Sequence, residues 1–254
     1  CILAFLLIYI LVKGIPYLTP SLFAWEYNSE NVSLMPALIN TILMTALSLV
    51  IAVPLGIFAA IYLVEYARRG NKIVEIVRIT AETLTGIPSI VYGLFGFLLF
   101  GVALKWGYSM LGGALTLAIM ILPTIMRTTE EALKSVPDSY REGSFGLGAG
   151  RLRTVFQVVL PSAVPGILAG VILAVGRIVG ETAALMYTAG TVAGIPANIM
   201  GSARTLSVHM YVLTNEGLYT NQSYATAVVL LVIVVLINAL SGFIAKKITG
   251  KGIG

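Results

Sequence analysis

Arg177 and Glu181 stand four residues apart inside an apolar run, a spacing that puts them on one face if the run is helical. An arginine can grip an oxyanion through two parallel hydrogen bonds, and a carboxylate one turn away competes for it and eases release. The same residues can instead form an interhelical salt bridge that fixes packing or locks one state, and both readings stand at this point. A second group, Glu75, Arg78 and Glu82, opens another apolar run, with Arg78 and Glu82 again four apart. Snorkelling and local pairing near an interface account for these, and a place on an ion pathway is the alternative. Glu65 and Arg127 read as structural. Arg204 and the single histidine, His209, fall in a polar segment and read as solvated loop residues, with a contact to an external partner or anion as the alternative. One histidine and one cysteine exclude a metal cluster built on those residue types and a disulfide within the chain. No Gly-x4-Gly-Lys-Ser/Thr phosphate loop is present, so any nucleotide must bind elsewhere and this chain carries no cofactor. An intramembrane enzyme would need a nucleophile and base, or metal ligands, and Arg177 with Glu181 makes a poor hydrolytic pair.

The elements that hold these residues follow from composition. Of 254 residues, 58% are hydrophobic and 11% charged, against roughly 25% charged in soluble proteins. Lipid is therefore the outer solvent, and the backbone must satisfy its own hydrogen bonds. The apolar runs are continuous and lack the alternation of barrel strands. The expected fold is all-α, a polytopic membrane protein with six transmembrane helices in one transmembrane domain spanning 1–254. The runs are 1–12, about 36–64, about 74–104 with a break at Gly86-Ile87-Pro88, about 111–128, about 163–190 and about 223–245. The first is shorter than the roughly 20 residues a span needs, and is read as part of a helix whose beginning lies outside this chain. A lipid-modified Cys1 is the alternative, and no cleavable signal peptide pattern is visible. Gly166, Gly170, Gly176 and Gly180 read as helix-packing positions. Counted from residue 163 at about 1.5 Å per residue, Arg177 lies roughly 20 Å along its span. An unpaired charge at that depth costs at least about 2.5–3.5 kcal/mol, so it must face protein or water.

Loop charges set the expected orientation. Arg68, Arg69, Lys72, Arg78, Arg127, Lys134, Arg141, Arg151, Arg153, Lys246, Lys247 and Lys251 fall on one side, and Lys13, Lys105 and Arg204 on the other. Twelve against three places the first set, both termini and the segment 129–162 in the cytoplasm. The loops 13–35 and 191–222 are then external. The net charge of +5 suits anionic lipid headgroups rather than nucleic acid.

Segment 129–162 carries its own pattern. Pro137-Asp138-Ser139 reads as a helix start capped by Asp138 or Ser139, glycines 146, 148 and 150 interrupt, and Arg151–Leu160 resumes before Pro161 ends the helix. This is a rigid knob of the kind inserted into a partner's groove. Glu142-Gly143-Ser144, Gly148, Val158, Leu160 and Pro161 match in spacing the cytoplasmic motif of ABC importer permeases, Glu-Ala-Ala-x3-Gly-x9-Ile-x-Leu-Pro. Gly143 and Ser144 replace the alanines, and Val158 the isoleucine.

Other stretches narrow the resemblance: Tyr62–Ala67, Thr85–Gly96, Glu131-Ala132-Leu133, Val136-Pro137, Arg141-Glu142 and Gly176–Ala183. From residue 36 onward the chain resembles the permease subunits of phosphate-specific ABC importers. Met35-Pro36-Ala37-Leu38 and Asn40-Thr41 tilt the resemblance to the PstA type over its PstC companion. It implies a type I importer fold in the cell (inner) membrane and transport of inorganic phosphate into the cytoplasm. It also implies a heterodimer with a PstC-like permease, coupling to a PstB-like ATPase dimer that holds ATP and Mg, and delivery by a PstS-like extracytoplasmic phosphate-binding protein. The implied ATPase contacts are Arg141, Glu142, Gly143, Ser144, Phe145, Gly148, Val158, Leu160 and Pro161. The implied pathway residues are Arg177, Glu181, Arg78 and Glu82. Another oxyanion, molybdate or sulfate, is the alternative cargo. A passive channel would not need the coupling segment.

Overall fold

Every apolar run folds as helix, and no strand occurs among the described residues. The structure, a computed structural model, describes residues 2–68 and 70–250, without the side chains of 3, 241 and 244–250. The readings made for Cys1, Arg69 and Lys251, and for the side chains of Lys246 and Lys247, lie outside the described residues. In chain order the helices are α1 (Ile2–Gly14), α2 (Met35–Ile61), α3 (Lys72–Thr85), α4 (Ser89–Gly96), α5 (Met110–Lys134), α6 (Asp138–Gly146), α7 (Arg151–Thr154), α8 (Leu160–Val179), α9 (Ala183–Thr188), α10 (Leu206–Glu216) and α11 (Thr220–Gly250). Wider π-helical turns continue α2 (Tyr62–Tyr66), continue α4 (Phe97–Ala103) and join α7 to α8 (Val155–Val159).

Four stretches are long and apolar enough to cross a membrane: Met35–Tyr66, Met110–Lys134, Arg151–Val179 and Thr220–Leu240. The expected third span is a bent pair, α3 and then α4 with its π turn, divided at Gly86-Ile87-Pro88. The expected first is the shorter apolar helix Ala4–Tyr17. Four spans, or five if the bent pair is one, thus meet the length and composition of a crossing against the six expected, and the expected run 163–190 lies instead on a helix from Arg151 that ends at Val179.

Two expectations for the segment after α5 are corrected. Pro161 does not end the helix, which runs on through Pro161 and Pro165. Proline removes an N–H and crowds the preceding turn, and the π turn just before Leu160 widens that turn. Ser162 Oγ donates to the Val158 carbonyl at 2.8 Å. At α6, Pro137 holds the N-cap position without a side-chain bond, and the Asp138 carboxylate accepts from Arg141 instead.

The chain forms two compact units. One comprises Cys1–Leu49, Pro88–Ala118 and Gly176–Leu236, the other Val50–Ile87, Ile119–Val175 and Ile237–Gly254. The second unit closes over Ile61, Leu63, Val74, Leu133, Val136, Val155 and Val159, all buried. There α8 packs tightly: a Cβ on Gly166 would lie 2.6 Å from Ala132 Cβ, and one on Gly170 2.6 Å from Thr128 Cβ. In the first unit Gly93 of α4 meets α9, where a Cβ would lie 2.8 Å from Ala184 Cα. A second apolar cluster there joins Leu22, Leu34, Ala37, Leu206 and Ala225. Gly176 and Gly180 do not pack in this way: a Cβ on Gly176 meets nothing within 4 Å, and one on Gly180 meets only the Gly176 carbonyl at 3.6 Å.

This contrast is testable. Gly170→Ala forces Thr128 aside and should cost about 1–3 kcal/mol. Gly176→Ala adds a helix former in open space and should be neutral or gain up to about 1 kcal/mol. Thermal unfolding of the two variants in detergent checks the difference.

Candidate functional site

The knob is built by the second unit. α6 ends in a Schellman turn: Ala149 N donates to the Ser144 carbonyl at 3.1 Å and Gly148 N to the Phe145 carbonyl at 2.9 Å. That closure needs a left-handed residue, and Gly148 supplies it at φ +81°. Ser144 Oγ and Thr154 Oγ1, 2.8 Å apart, tie α6 to α7, and Val155 and Val159 sink into the core. The expected contact residues then divide. Glu142, Gly143, Phe145, Gly148 and Pro161 are exposed, Ser144, Val158 and Leu160 are half-buried, and Leu147 is 92% exposed. A Cβ at any of Gly143, Gly146, Gly148 or Gly150 would meet nothing within 4 Å.

Arg141, expected as a charged contact at the knob's edge, points inward at 15% exposure. Its guanidinium donates to Glu65 at 2.7 Å, to the Leu133 carbonyl at 2.9 Å and to the Val136 carbonyl at 2.8 Å. Those carbonyls lie at and just past the end of α5, where a helix has no partners of its own to offer. One side chain thereby joins α6, the end of α5 and the π turn that continues α2. Arg78 and Glu82 of α3 are paired, but not with each other. Arg78 meets Glu130 at 2.6 Å, and Lys134 shares the same Glu130 oxygen at 2.6 Å. Glu82 meets Arg127 at 3.7 Å. The expected Arg78–Glu82 pairing therefore gives way to bonds with α5.

In the first unit, Arg177 and Glu181 do not share a helix face, because α8 ends at Val179. The chain turns at Gly180-Glu181-Thr182 before α9. The buried Glu181 carboxylate accepts from Ala184 N at 3.0 Å in the first turn of α9, and its carbonyl accepts from Ser207 Oγ at 2.5 Å. Arg177, half-buried, forms no ion pair or hydrogen bond among the described residues. Among the described residues the two form no salt bridge, and the Glu181 carboxylate is engaged at the start of α9. What remains is an unpaired guanidinium beside the open space at Gly176.

Arg204 and His209 are buried, not solvated. Arg204 Nη1 lies 3.1 Å from His209 Nδ1, and Nε donates to the Thr191 carbonyl at 2.8 Å. The guanidinium also sits over the Tyr27 ring at 5.3 Å, and the same ring meets His209 edge-on. Asn40 Nδ2 donates to the Gly194 and Arg204 carbonyls at 3.1 and 3.2 Å, and Thr41 Oγ1 accepts from Leu206 N at 2.8 Å. Burial and the adjacent Arg204 charge push the His209 imidazole down to about 4. The Val32 backbone lies close enough to oppose this slightly, although no hydrogen bond of ordinary geometry reaches Nε2. The polar residues of 191–222 form a fastening between segments.

Sequence reasoning passed over Glu130, whose only local signal was its i,i+4 spacing to Lys134. Asn40-Thr41, a marker of resemblance in the sequence, is in the structure a brace.

Comparisons with known proteins bear on this arrangement. Residues 52–250 match the family described as the binding-protein-dependent transport system inner membrane component. The chain is 36% identical over 234 residues to the probable ABC transporter permease protein YqgI of Bacillus subtilis (strain 168), covering 84% of this chain and 79% of that one. It is 36% identical over 217 residues to phosphate transport system permease protein PstA 1 of Mycobacterium tuberculosis (strain CDC 1551 / Oshkosh), covering 83% and 71%. Among solved structures it resembles a chain of the inward-facing MetNI methionine ABC transporter, with a TM-score of 0.65 at 20% identity over 94% of this chain and 96% of that one. A chain of a bacterial alginate ABC transporter gives 0.68 at 18% identity, over 98% and 93%. These solved chains establish the fold, that of a type I ABC importer permease.

Glu65→Gln or Arg141→Gln should each cost about 2–3 kcal/mol, because each strands a half-buried partner. The double variant should cost less than the sum by about 1 kcal/mol or more, measured by chemical unfolding in detergent. For His209 the folded state binds the proton less readily than the unfolded chain. Its contribution is full above pH 6.5 and is lost as pH falls toward about 4. About 2 kcal/mol should disappear between pH 7.5 and pH 5, and His209→Gln should flatten that slope in thermal unfolding.

Proposed function

The chain belongs to the family of binding-protein-dependent transport system inner membrane components, and from that premise we propose that it is the permease subunit of an ATP-driven importer of inorganic phosphate. The observation that carries the coupling role is the rigid α6–α7 knob, which exposes Leu147, Phe145 and a row of open glycines on a base fastened by Arg141. A groove on a separate ATPase can take such a knob, and the apolar side chains supply buried contact area. The fastening transmits force: displacement of α6 acts through Arg141 on α2 and α5 together. The phosphate assignment rests on the PstA-type relatives. ATP hydrolysis takes place on the partner ATPase dimer, and this chain is not itself an enzyme. A companion permease of PstC type completes the pathway, and a PstS-like extracytoplasmic protein delivers the ion. The basic ends of the helices face the cytoplasm, as do both termini.

Within this reading Arg177 offers the ion a transient site. Its guanidinium has no carboxylate partner among the described residues, and Gly176 leaves room beside it. A pathway must bind weakly enough to release, and one unpaired arginine with no second cation on its own helix meets that condition. Glu181 holds the chain's turn into α9 and sets where Arg177 sits.

The test is ATP-dependent uptake of radiolabelled phosphate by proteoliposomes holding the chain with its companion permease, ATPase and binding protein. Molybdate and sulfate serve as competitors. Phosphate uptake should fall at least tenfold with Glu142→Lys or Arg177→Gln while the assembly stays intact by size exclusion. Uptake of molybdate or sulfate in place of phosphate would keep the importer and overturn the cargo.

A further inference from the structure

The second unit contains a cavity of about 940 Å³, bounded by the π turn ending α2, the start of α3 and the inner side of α6. Five cationic side chains line it, Arg68, Arg78, Lys134, Arg141 and Arg151, against three acidic ones, Glu65, Glu75 and Asp138. The carboxylates are already engaged unevenly. Glu65 and Asp138 both serve Arg141. Arg78 and Lys134 divide one oxygen of Glu130 between them. Arg68 and Arg151 have no carboxylate partner among the described residues, and Arg151 is steadied over the Tyr66 ring at 5.8 Å. Two arginines therefore face a concavity with their hydrogen-bonding capacity unspent.

The cavity also sits where a span ends. Met35–Tyr66 is 32 residues long, roughly 48 Å at 1.5 Å per residue, against a hydrocarbon core of roughly 30 Å. Tyr62–Tyr66 is its last turn, in the length that the hydrocarbon does not require, and the importer reading puts the cavity on the cytoplasmic side. Beside it α3 exposes Ile73, Ile76 and Ile79, with Ile79 one turn from Glu75 along the same side of the helix. An apolar helix face next to a basic concavity is the surface that a phosphate-bearing amphiphile requires.

We propose that this cavity is a phosphate-group binding site, with Arg68 and Arg151 as its principal ligands and Arg78 and Lys134 in support. The shared chemistry is a phosphate anion accepting charge-assisted hydrogen bonds from guanidinium groups. An anionic phospholipid headgroup and free inorganic phosphate both present it. Phe145 of the knob stands on the rim of the cavity, and Arg177 is not among its lining residues. Its placement at the cytoplasmic side rests on the importer reading, but its binding chemistry does not. Glu75 is the opposing charge: it lines the cavity in the first turn of α3 and repels the same anion.

The experiment uses the purified importer complex in neutral detergent and needs no transport. In one arm, native mass spectrometry counts retained phosphatidylglycerol against phosphatidylcholine. In the other, equilibrium dialysis measures binding of radiolabelled inorganic phosphate to lipid-depleted complex. Arg68→Gln with Arg151→Gln should weaken binding roughly 30-fold, at about 1 kcal/mol for each cation lost, and Glu75→Gln should tighten it several-fold. Sensitivity in the phosphatidylglycerol arm assigns the site to lipid, and sensitivity in the dialysis arm to free phosphate. Binding in both arms unchanged by these variants would overturn the proposal. So would loss of the ATPase from the purified complex with anion binding unchanged, which would give the cavity to the partner protein. Because neither arm measures uptake, failure of the cargo assignment leaves both results readable.

Discussion

Hydrocarbon offers a peptide group nothing to bond with, so the backbone must satisfy its own hydrogen bonds. Hydroxyls add to that ladder. Thr41, Thr45 and Ser48 each donate to the carbonyl four residues back, at 2.7 to 2.8 Å, along one side of α2. Thr116 and Thr128 do the same in α5. Three π turns widen the helix, at the end of α2, after α4 and ahead of Pro161, and the last of them gives room for the proline ring. Two of these turns carry functional elements. The first π turn presents Glu65 to Arg141, and the third lets Val155 and Val159 anchor the knob while the chain continues into a span.

Charge in the second unit is arranged for holding position. Glu130, nearly buried, serves two cations, while Glu65 and Asp138 serve one. The second arrangement is stiff, because the guanidinium is also fixed by two carbonyls at the end of α5. The first leaves its cations under-neutralised. In the first unit the buried Arg204 has no carboxylate partner among the described residues and is accommodated by His209, a carbonyl and the Tyr27 ring. An arginine tolerates this because its charge is spread over a plane and is weakly hydrated. Keeping His209 neutral follows, since a second buried cation at 3.1 Å has no compensation.

The helical class, the positions of the apolar runs and the knob with its glycine turn were legible in the sequence, because each is a local pattern of hydrophobicity or spacing. The partners of Arg78 and Arg141 were not, since Glu130 and Glu65 reach them only after tertiary folding. Local spacing offered Glu82 as a neighbour and could not reveal that α5 competes for Arg78. Glycine was ambiguous in α8 for a related reason. Gly166 and Gly170 touch α5, Gly176 and Gly180 do not, and nothing in their residue type distinguishes them. Arg204 and His209 were misread because polar composition in a loop signals water unless a second segment covers it, and here Tyr27 and Asn40 do.

Gly148 has a bearing on how this segment can change over generations. Its handedness is one that L side chains adopt only under strain, so drift there is penalised whatever the neighbouring space. Positions 143 and 144 carry no such stereochemical demand: the first borders open space, and the second needs only a small group that can reach Thr154. The chain departs from Glu-Ala-Ala at those two places and keeps glycine at the third. A mating surface cut to this knob can therefore vary in the contacts it makes while the angle at which the knob is presented stays set by chirality.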